Sequence, residues 1–232
     1  MEIKATDSIL VVAPHADDES IGCGGLLAKY GKQSDVLLIT DGRHGHTTEE
    51  YSDEALLVVL RKEEIKSVAA ICNLRNIYFL DIEDQMAGEN ASIIKKFDIS
   101  SYTHIFVPNH YESHKDHNVL FWIFKSMIKK QRSIAVLYEY EVWTPLRYPS
   151  DYLDISDVIE LKKTMIAQYK SQVADVDYVN KGIALSNYRG MVANCEYAEA
   201  FVIASGVQLK NNFFMSLPLW LKLKIYHRIN RG

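Results

Sequence analysis

The sequence predicts an α/β domain built on a mostly parallel sheet, with its functional groups at the carboxyl ends of the strands. Three observations support this. Short apolar runs, beginning with Ile-Leu-Val-Val-Ala at 9–13, alternate with stretches of helical period. The first run leads straight into Pro14-His15-Ala16-Asp17-Asp18-Glu19, so an imidazole and three carboxylates crowd the turn where a strand hands over to a helix. Six of the eight histidines, His15, His44, His46, His110, His114 and His117, fall just after a predicted strand, and only His104 and His227 lie elsewhere. In an open α/β sheet, ligands bind outside the carboxyl ends of the strands. This histidine placement therefore predicts a site.

Composition bounds the rest. A chain of 232 residues, 48% hydrophobic and 24% charged, can bury one sizeable core as a single globular domain. A formal charge of -4 gives no basic footprint for nucleic acid. Cys23, Cys72 and Cys195 are far apart without ligand spacing, which reads as inert core thiols in a reducing compartment. The polar opening at 1–7 is no signal peptide and no apolar run spans a bilayer, so the expectation is a cytoplasmic protein.

The elements follow in order. Packing His15, Asp17, Asp18 and Glu19 together costs charge repulsion unless a cation or substrate relieves it. Ordinary helix-start chemistry, with Asp17 or Asp18 as N-cap and Glu19 favouring the dipole, accounts for one or two acids but not three beside a histidine. A helix over 20–30 carries Gly22, Gly24 and Gly25. A dinucleotide fingerprint would place its glycines in the turn itself, and three preceding acids would repel a pyrophosphate, so these glycines read as close packing of helix on sheet. A second strand at 36–40 runs into a glycine-containing loop at 40–46, where Asp41 is placed to orient the first motif or meet substrate. His44 and His46 read there as loop residues, with substrate contact the alternative.

The helix over 53–72 puts Leu57, Leu60, Ile65, Val68 and Cys72 on one face, with Arg61 and Glu64 in its middle. Two charges on an apolar face either pair or line a cavity. Glu64 could fix Arg61 so that its fork reaches an oxygen-rich ligand. A strand at 77–80, an acidic loop at 81–90 and a short helix at 91–97 come next. A strand at 104–108 precedes the loop 109–115 and a helix over 116–131, whose inward face carries His117, Phe121, Phe124 and Ile128. His114 faces the same crevice from the loop. Ser113 and Asp116 fit a capping box, which leaves the two histidines unexplained. A strand at 135–141 ends in a turn where Trp143 either stacks on a sugar ring or covers the core edge. Helical stretches at 158–171 and 179–194 follow, then 197–202 as a late strand or a helix end.

These parts fit metal-assisted hydrolysis of an amide-like bond. Three protein ligands with an open water position form the catalytic zinc pattern. His15 and Asp18 can meet one ion from a single turn and His117 from the facing helix, leaving Asp17 as a free carboxylate. Zinc lowers the pKa of its water to about 7, within reach of such a base. A protonated His114 would face the developing oxyanion or protonate the leaving group.

The motifs Pro14-His15-Ala16-Asp17-Asp18-Glu19 and His114-Lys115-Asp116-His117 resemble those of the LmbE-like, or PIG-L, N-acetylglucosaminyl deacetylases. The resemblance implies a Rossmann-like three-layer fold and removal of N-acetyl groups from GlcNAc-containing molecules, with zinc or sometimes ferrous iron. It implies metal ligands at His15, Asp18 and His117, a base at Asp17, a catalytic histidine at His114 and a tuning carboxylate at Asp116. Arg61 and Glu64 match the family's substrate-side helix. It covers about 9–201. Ala16 stands where the family most often has proline, and Glu112 where some members have tyrosine, so no tyrosine role is carried over. The competing readings are a hydrolase of another amide, a non-catalytic metal- or sugar-binding module, and a nucleotide-binding oxidoreductase. Intact Asp17 and His114 oppose the module, and the misplaced glycines oppose the oxidoreductase.

The domain is thus expected over 1–212, with 213–232 as a tail that mixes Phe213, Phe214, Leu217, Trp220 and Tyr226 with Lys222, Lys224, Arg228 and Arg231. It either docks on its own domain or another subunit of a homo-oligomer, or lies on an anionic membrane surface as a peripheral contact. Liposome co-sedimentation of the full chain and of a chain ending at Asn212 separates these. The membrane reading requires that only the full chain pellets. Equal pelleting of both, or of neither, removes that reading, and unfolding or a changed oligomeric state on truncation marks docking.

Overall fold

The computed structural model describes residues 1–45, 48–174 and 176–204. One seven-stranded sheet organises them, in the order β3-β2-β1-β4-β5-β7-β6. Strands β1 (Ile9–Ala13), β2 (Ser34–Thr40), β3 (Asn76–Ile82), β4 (His104–Pro108) and β5 (Val136–Tyr140) are mutually parallel. The last two, β6 (Asp151–Asp154) and β7 (Ala198–Ile203), close one edge antiparallel. Helices α1 (Asp18–Tyr30), α2 (Glu54–Cys72), α3 (Ala91–Ile94), α4 (Lys115–Gln131), α5 (Ile159–Ile166), α6 (Lys170–Val173) and α7 (Tyr178–Ala193) complete the fold.

The residues of β1 are all buried because the strand is central and covered on both faces. Ile9, Val11 and Ala13 pack with α1, α2 and α5 side chains in one core. Leu10 and Val12 pack with Leu120, Phe121 and Phe124 of α4 in the other. The chain passes from β1 outward to β3, then crosses back to β4 on the other side of β1. The carboxyl ends of β1 and β4 therefore flank the topological switch point, where an open α/β sheet leaves a crevice.

The α1 glycines serve close packing, as their position after the acids suggests. A Cβ on Gly22 would stand 2.3 Å from Tyr140 Cδ2 of β5, and one on Gly25 would stand 2.3 Å from Ile155 Cγ2. Between them the helix kinks at Cys23 (φ -130°, ψ 15°). The kink exposes two amides that a carboxylate satisfies: Gly25 N and Leu26 N donate to Glu199 at 2.6 and 2.9 Å. Lys162 Nζ pairs with the same carboxylate at 2.7 Å, and both side chains are buried.

Several segments differ from the sequence expectation. The strand β6 reads Asp-Tyr-Leu-Asp, with one buried apolar residue, and so carries no apolar run to announce it. Residues 197–202, open between strand and helix, form most of β7. The expected helix over 158–171 breaks into α5 and α6 around Tyr169 (φ -78°, ψ 63°), whose buried hydroxyl donates to Glu19 on α1. Cys23 and Cys72 are buried thiols, but Cys195 is partly exposed and not a core residue. Among the described residues, no helix is long and apolar enough to cross a membrane. The tail at 213–232 lies outside the described residues.

Glu199→Ala strands a buried ammonium and two helix amides at once. Breaking a buried pair on one side costs about 3–5 kcal/mol, so urea unfolding should show a loss of that order. The double variant Lys162→Met, Glu199→Gln should lose less. A single-variant loss under about 1 kcal/mol would show that the pair does not hold the kink.

Candidate metal and catalytic site

The turn after β1 is tied to the end of β2, since Thr40 donates to Pro14 O through both its amide (3.0 Å) and hydroxyl (2.8 Å). That fixes His15 over the switch point. Three donor atoms meet there: His15 Nδ1 lies 3.2 Å from Asp18 Oδ2, His117 Nε2 lies 3.3 Å from Asp18 Oδ2, and the two ring nitrogens are 3.3 Å apart. Ligands held about 2.0–2.1 Å from a tetrahedral zinc stand roughly 3.3 Å from one another. The triangle fits such an ion. His15 Nε2 faces Asp84 Oδ1 at 3.0 Å, which fixes its proton on that nitrogen and turns the Nδ1 lone pair inward.

Burial works against charge on Asp18, yet His117 and His15 hold its carboxyl well below the ordinary range. Burial would also depress His15, but hydrogen bonds to Asp116, Asp18 and Asp84 outweigh it and raise its pKa well above the usual value. Asp116, fully buried, lies 3.7 Å from His15 Nε2 and accepts Gln85 N (2.7 Å) and Ala87 N (3.0 Å). It thereby ties α4 to the 84–87 loop that delivers Asp84. His117 Nδ1 is buried without a protein partner.

Asp17 occupies the N-cap of α1 yet makes no side-chain cap bond. Its backbone is strained (φ 142°, ψ -31°). The strain is pinned from within: Asp17 N donates to Glu19 Oε2 at 3.1 Å, while the other Glu19 oxygen accepts Ser20 Oγ at 2.6 Å and the Tyr169 hydroxyl. The Asp17 side chain lines the cavity beside Arg61, with Oδ1 at 3.4 Å from the guanidinium. Burial pushes its carboxyl up to about 8, against the pull of Arg61.

Arg61 lines the same cavity but is largely engaged by the protein, donating to Ala16 O (2.7 Å) and Gly42 O (3.4 Å). A Cβ on Gly45 would stand 2.2 Å from its Nη1, so a larger residue there would push the guanidinium aside. Glu64 gives both oxygens to Ser171, at N and Oγ, each 2.8 Å. It supports α6, and no hydrogen bond joins it to Arg61 among the described residues. Asp41 accepts Arg43 and Asp84 N (3.2 Å) and lies outside the cavity lining. Its hold on the first motif runs through Asp84.

His114 caps α4 in place of a Ser113–Asp116 capping box: its Nδ1 accepts Asp116 N at 3.3 Å. The ring proton is therefore on Nε2 in the neutral form. Burial lowers its pKa, helped by the nearby His15 and His117. Trp143 lines the cavity and packs against Tyr178, ring centroids 5.1 Å apart. Its turn is held by Glu112, whose Oε1 accepts Val142, Trp143 and Thr144 amides at 3.2, 3.0 and 3.1 Å. The cavity, about 170 Å³, also includes His44, Gln85, Gln172 and Tyr178. His46 lies outside the described residues. Sequence reasoning missed Asp84, Glu112, Gln172 and Tyr178. An acid in a loop that follows a strand was a usable signal for Asp84; the other three carried none.

The chain is similar to known proteins over most of its length. Residues 10–128 match the family described as GlcNAc-PI de-N-acetylase, PIG-L. A diacetylchitobiose deacetylase of Thermococcus kodakarensis is 30% identical over 231 residues, covering 87% of this chain and 84% of its own. The crystal structure of an N,N'-diacetylchitobiose deacetylase from Pyrococcus horikoshii superposes with TM-score 0.76 at 24% identity, covering 88% and 85% of the two chains. A 4-carboxy-2-hydroxymuconate hydratase from Pseudomonas putida shares the fold at TM-score 0.68 and 19% identity, covering 86% of this chain and 96% of its own.

Removing a carboxylate that orients a ligating histidine typically costs 10–100-fold in metal affinity. Asp84→Ala should weaken zinc binding by about that factor, read by competition with a chelating dye. A change under about twofold would show that Asp84 does not set the His15 ring.

Proposed function

The chain belongs to the PIG-L family of GlcNAc-PI de-N-acetylases, and from that premise we propose that it is a divalent-metal-dependent hydrolase removing the N-acetyl group of a GlcNAc-containing molecule. The observation that carries the proposal is the donor triangle of His15, Asp18 and His117 with Asp17 and His114 lining the same small cavity. A metal-binding module would need the triangle alone. The Thermococcus relative, by its name, deacetylates a GlcNAc disaccharide, which supports the substrate class.

His15, Asp18 and His117 would hold the ion, zinc or another divalent metal. Such an ion would supply Lewis acidity and lower the pKa of the attacking water to about 7. Asp17 then takes the proton of the attacking water. Its buried carboxyl, with a pKa pushed up to about 8, has the proton affinity a general base needs. Arg61, fixed on Ala16 O, limits the swing of that carboxylate. His114, with Nδ1 engaged by the Asp116 amide, donates from Nε2 to the amide oxygen as charge builds there. When the C–N bond breaks, the proton taken from water ends on the leaving amine, giving acetate and a free amino sugar. Trp143 and Tyr178 offer a ring-sized wall for the sugar.

Purified protein should hold about one divalent ion per chain, and a His15→Ala, His117→Ala variant should hold none. Asp17→Asn should keep the ion and lose about 10²–10⁴-fold in acetate release from a panel of GlcNAc conjugates. Stoichiometric metal in the double variant, or turnover within a few-fold of wild type in Asp17→Asn, would overturn the assignment.

A further inference from the structure

One residue lining the metal cavity has no part in the reaction derived above. Gln172 of α6 borders that cavity and is 5% exposed. Its Nε2 donates to Gly45 O at 3.0 Å and to Ser171 Oγ at 3.2 Å. A peptide carbonyl only accepts, so the amide nitrogen must face Gly45 and the side chain cannot be turned the other way round. That leaves the amide oxygen over. It has no hydrogen-bond partner among the described residues. A buried amide oxygen without a partner is unfavourable, so water or a donor on a ligand meets it.

Two segments fix the direction of that oxygen. Glu64, a buried carboxylate that the reaction does not use, gives both its oxygens to the neighbouring Ser171 and so pins α6 to α2. The bond to Gly45 joins the amide to the glycine loop that carries His44, which also lines the cavity. An acceptor held in this way loses little further freedom when a ligand arrives, which is the condition for reading a donor selectively. Gln172 lies beyond residues 10–128, the stretch that matches the PIG-L family, so that match assigns it no role.

The size of the cavity indicates which donor comes near. About 170 Å³ is less than the roughly 300–1,000 Å³ that encloses a drug-sized ligand. It suits the acetamido group and the ring edge beside it. On a 2-acetamido pyranose that edge carries the anomeric oxygen on one side and the 3-hydroxyl on the other. In a conjugate the anomeric oxygen bears the rest of the molecule and has no proton to give. The 3-hydroxyl has one.

We propose that Gln172 is a specificity-determining residue whose side-chain oxygen accepts the 3-hydroxyl of the N-acetylated sugar, so that the substrates are GlcNAc conjugates unsubstituted at that position. The proposal rests on the functional reading above. The test measures acetate release by wild type and by Gln172→Met, which keeps the side-chain length and removes the acceptor. The probes are methyl β-N-acetylglucosaminide and its 3-deoxy and 3-O-methyl derivatives. Losing one partner of a buried hydrogen bond corresponds to about tenfold. Wild type should therefore prefer the parent glycoside to the 3-deoxy compound by about tenfold in kcat/KM, and Gln172→Met should show no such preference. With wild type, the 3-O-methyl compound should be turned over no faster than the 3-deoxy one. A disturbed loop, or contact with the acetamide N–H that all three probes keep, would slow the variant on every probe and leave the preference intact. A preference that survives the substitution, or that wild type lacks, overturns the proposal. If wild type releases acetate from no probe, the functional reading fails separately, and calorimetric titration of the same compounds decides. Tighter binding of the parent by wild type, lost in Gln172→Met, supports the proposal, and equal binding or none overturns it.

Discussion

The structure depends on one crowded encounter. At the switch point between β1 and β4, two imidazole nitrogens and a carboxylate oxygen stand 3.2–3.3 Å apart, with Asp84 and Asp116 directly behind them and Asp17 beside them. Their spacing is that of ligands around a tetrahedral divalent cation. The protein holds them there with four contacts: the Thr40 bonds to Pro14, the Asp84 carboxylate on His15, the Asp116 clamp on the 84–87 loop, and the helical turn that carries His117. Relaxing any one would let the donors spread. The sheet topology makes the convergence affordable, since the crossover from β3 to β4 brings both halves of the site to the same crevice.

The position of Asp17 is the second consequence. A carboxylate one residue before the first residue of a helix would ordinarily serve as its cap, and its backbone would lie in the extended region. Here φ is 142°, and the side chain is left uncommitted except to Arg61. Glu19 makes this conformation tenable by accepting the Asp17 amide. Tyr169 in turn anchors Glu19 from the break between α5 and α6. A strained residue persists when its surroundings over-determine it, at a cost of about 1–3 kcal/mol. The third acid of the motif is thus a support for the first, and neither acts as an ordinary N-terminal charge.

This explains which parts of the molecule were legible in the sequence. The strand Ile9–Ala13 shows as a continuous apolar run because it is buried on both faces, and His15, Asp17, Asp18 and His117 show because their chemistry is dense along the chain. The supports were not legible, because they act across long separations. Asp84 meets His15 from 69 residues away, Tyr169 meets Glu19 from 150, and Glu199 meets α1 from 174. Each looks like an ordinary surface or helix residue in its own window. Glu64 shows the converse: its place on the apolar face of α2 marked it as buried and paired, but only the fold shows that its partner is Ser171 and not Arg61.

The fold alone does not choose the chemistry, since a hydratase superposes on it nearly as well as a deacetylase does. The choice lies in where proton-handling groups stand around the donor triangle. Hydrolysis of an amide needs a base for water and an acid for the oxygen and nitrogen of the scissile group, acting in the same cavity. On the function proposed above, Asp17 and His114 would meet that need from opposite motifs. Their proton affinities are moved by burial in opposite directions: the carboxyl is pushed up to about 8 and the imidazole is pushed down. In this chain the two stand in the same turns as His15, Asp18 and His117, so neither can be repositioned without disturbing the triangle itself.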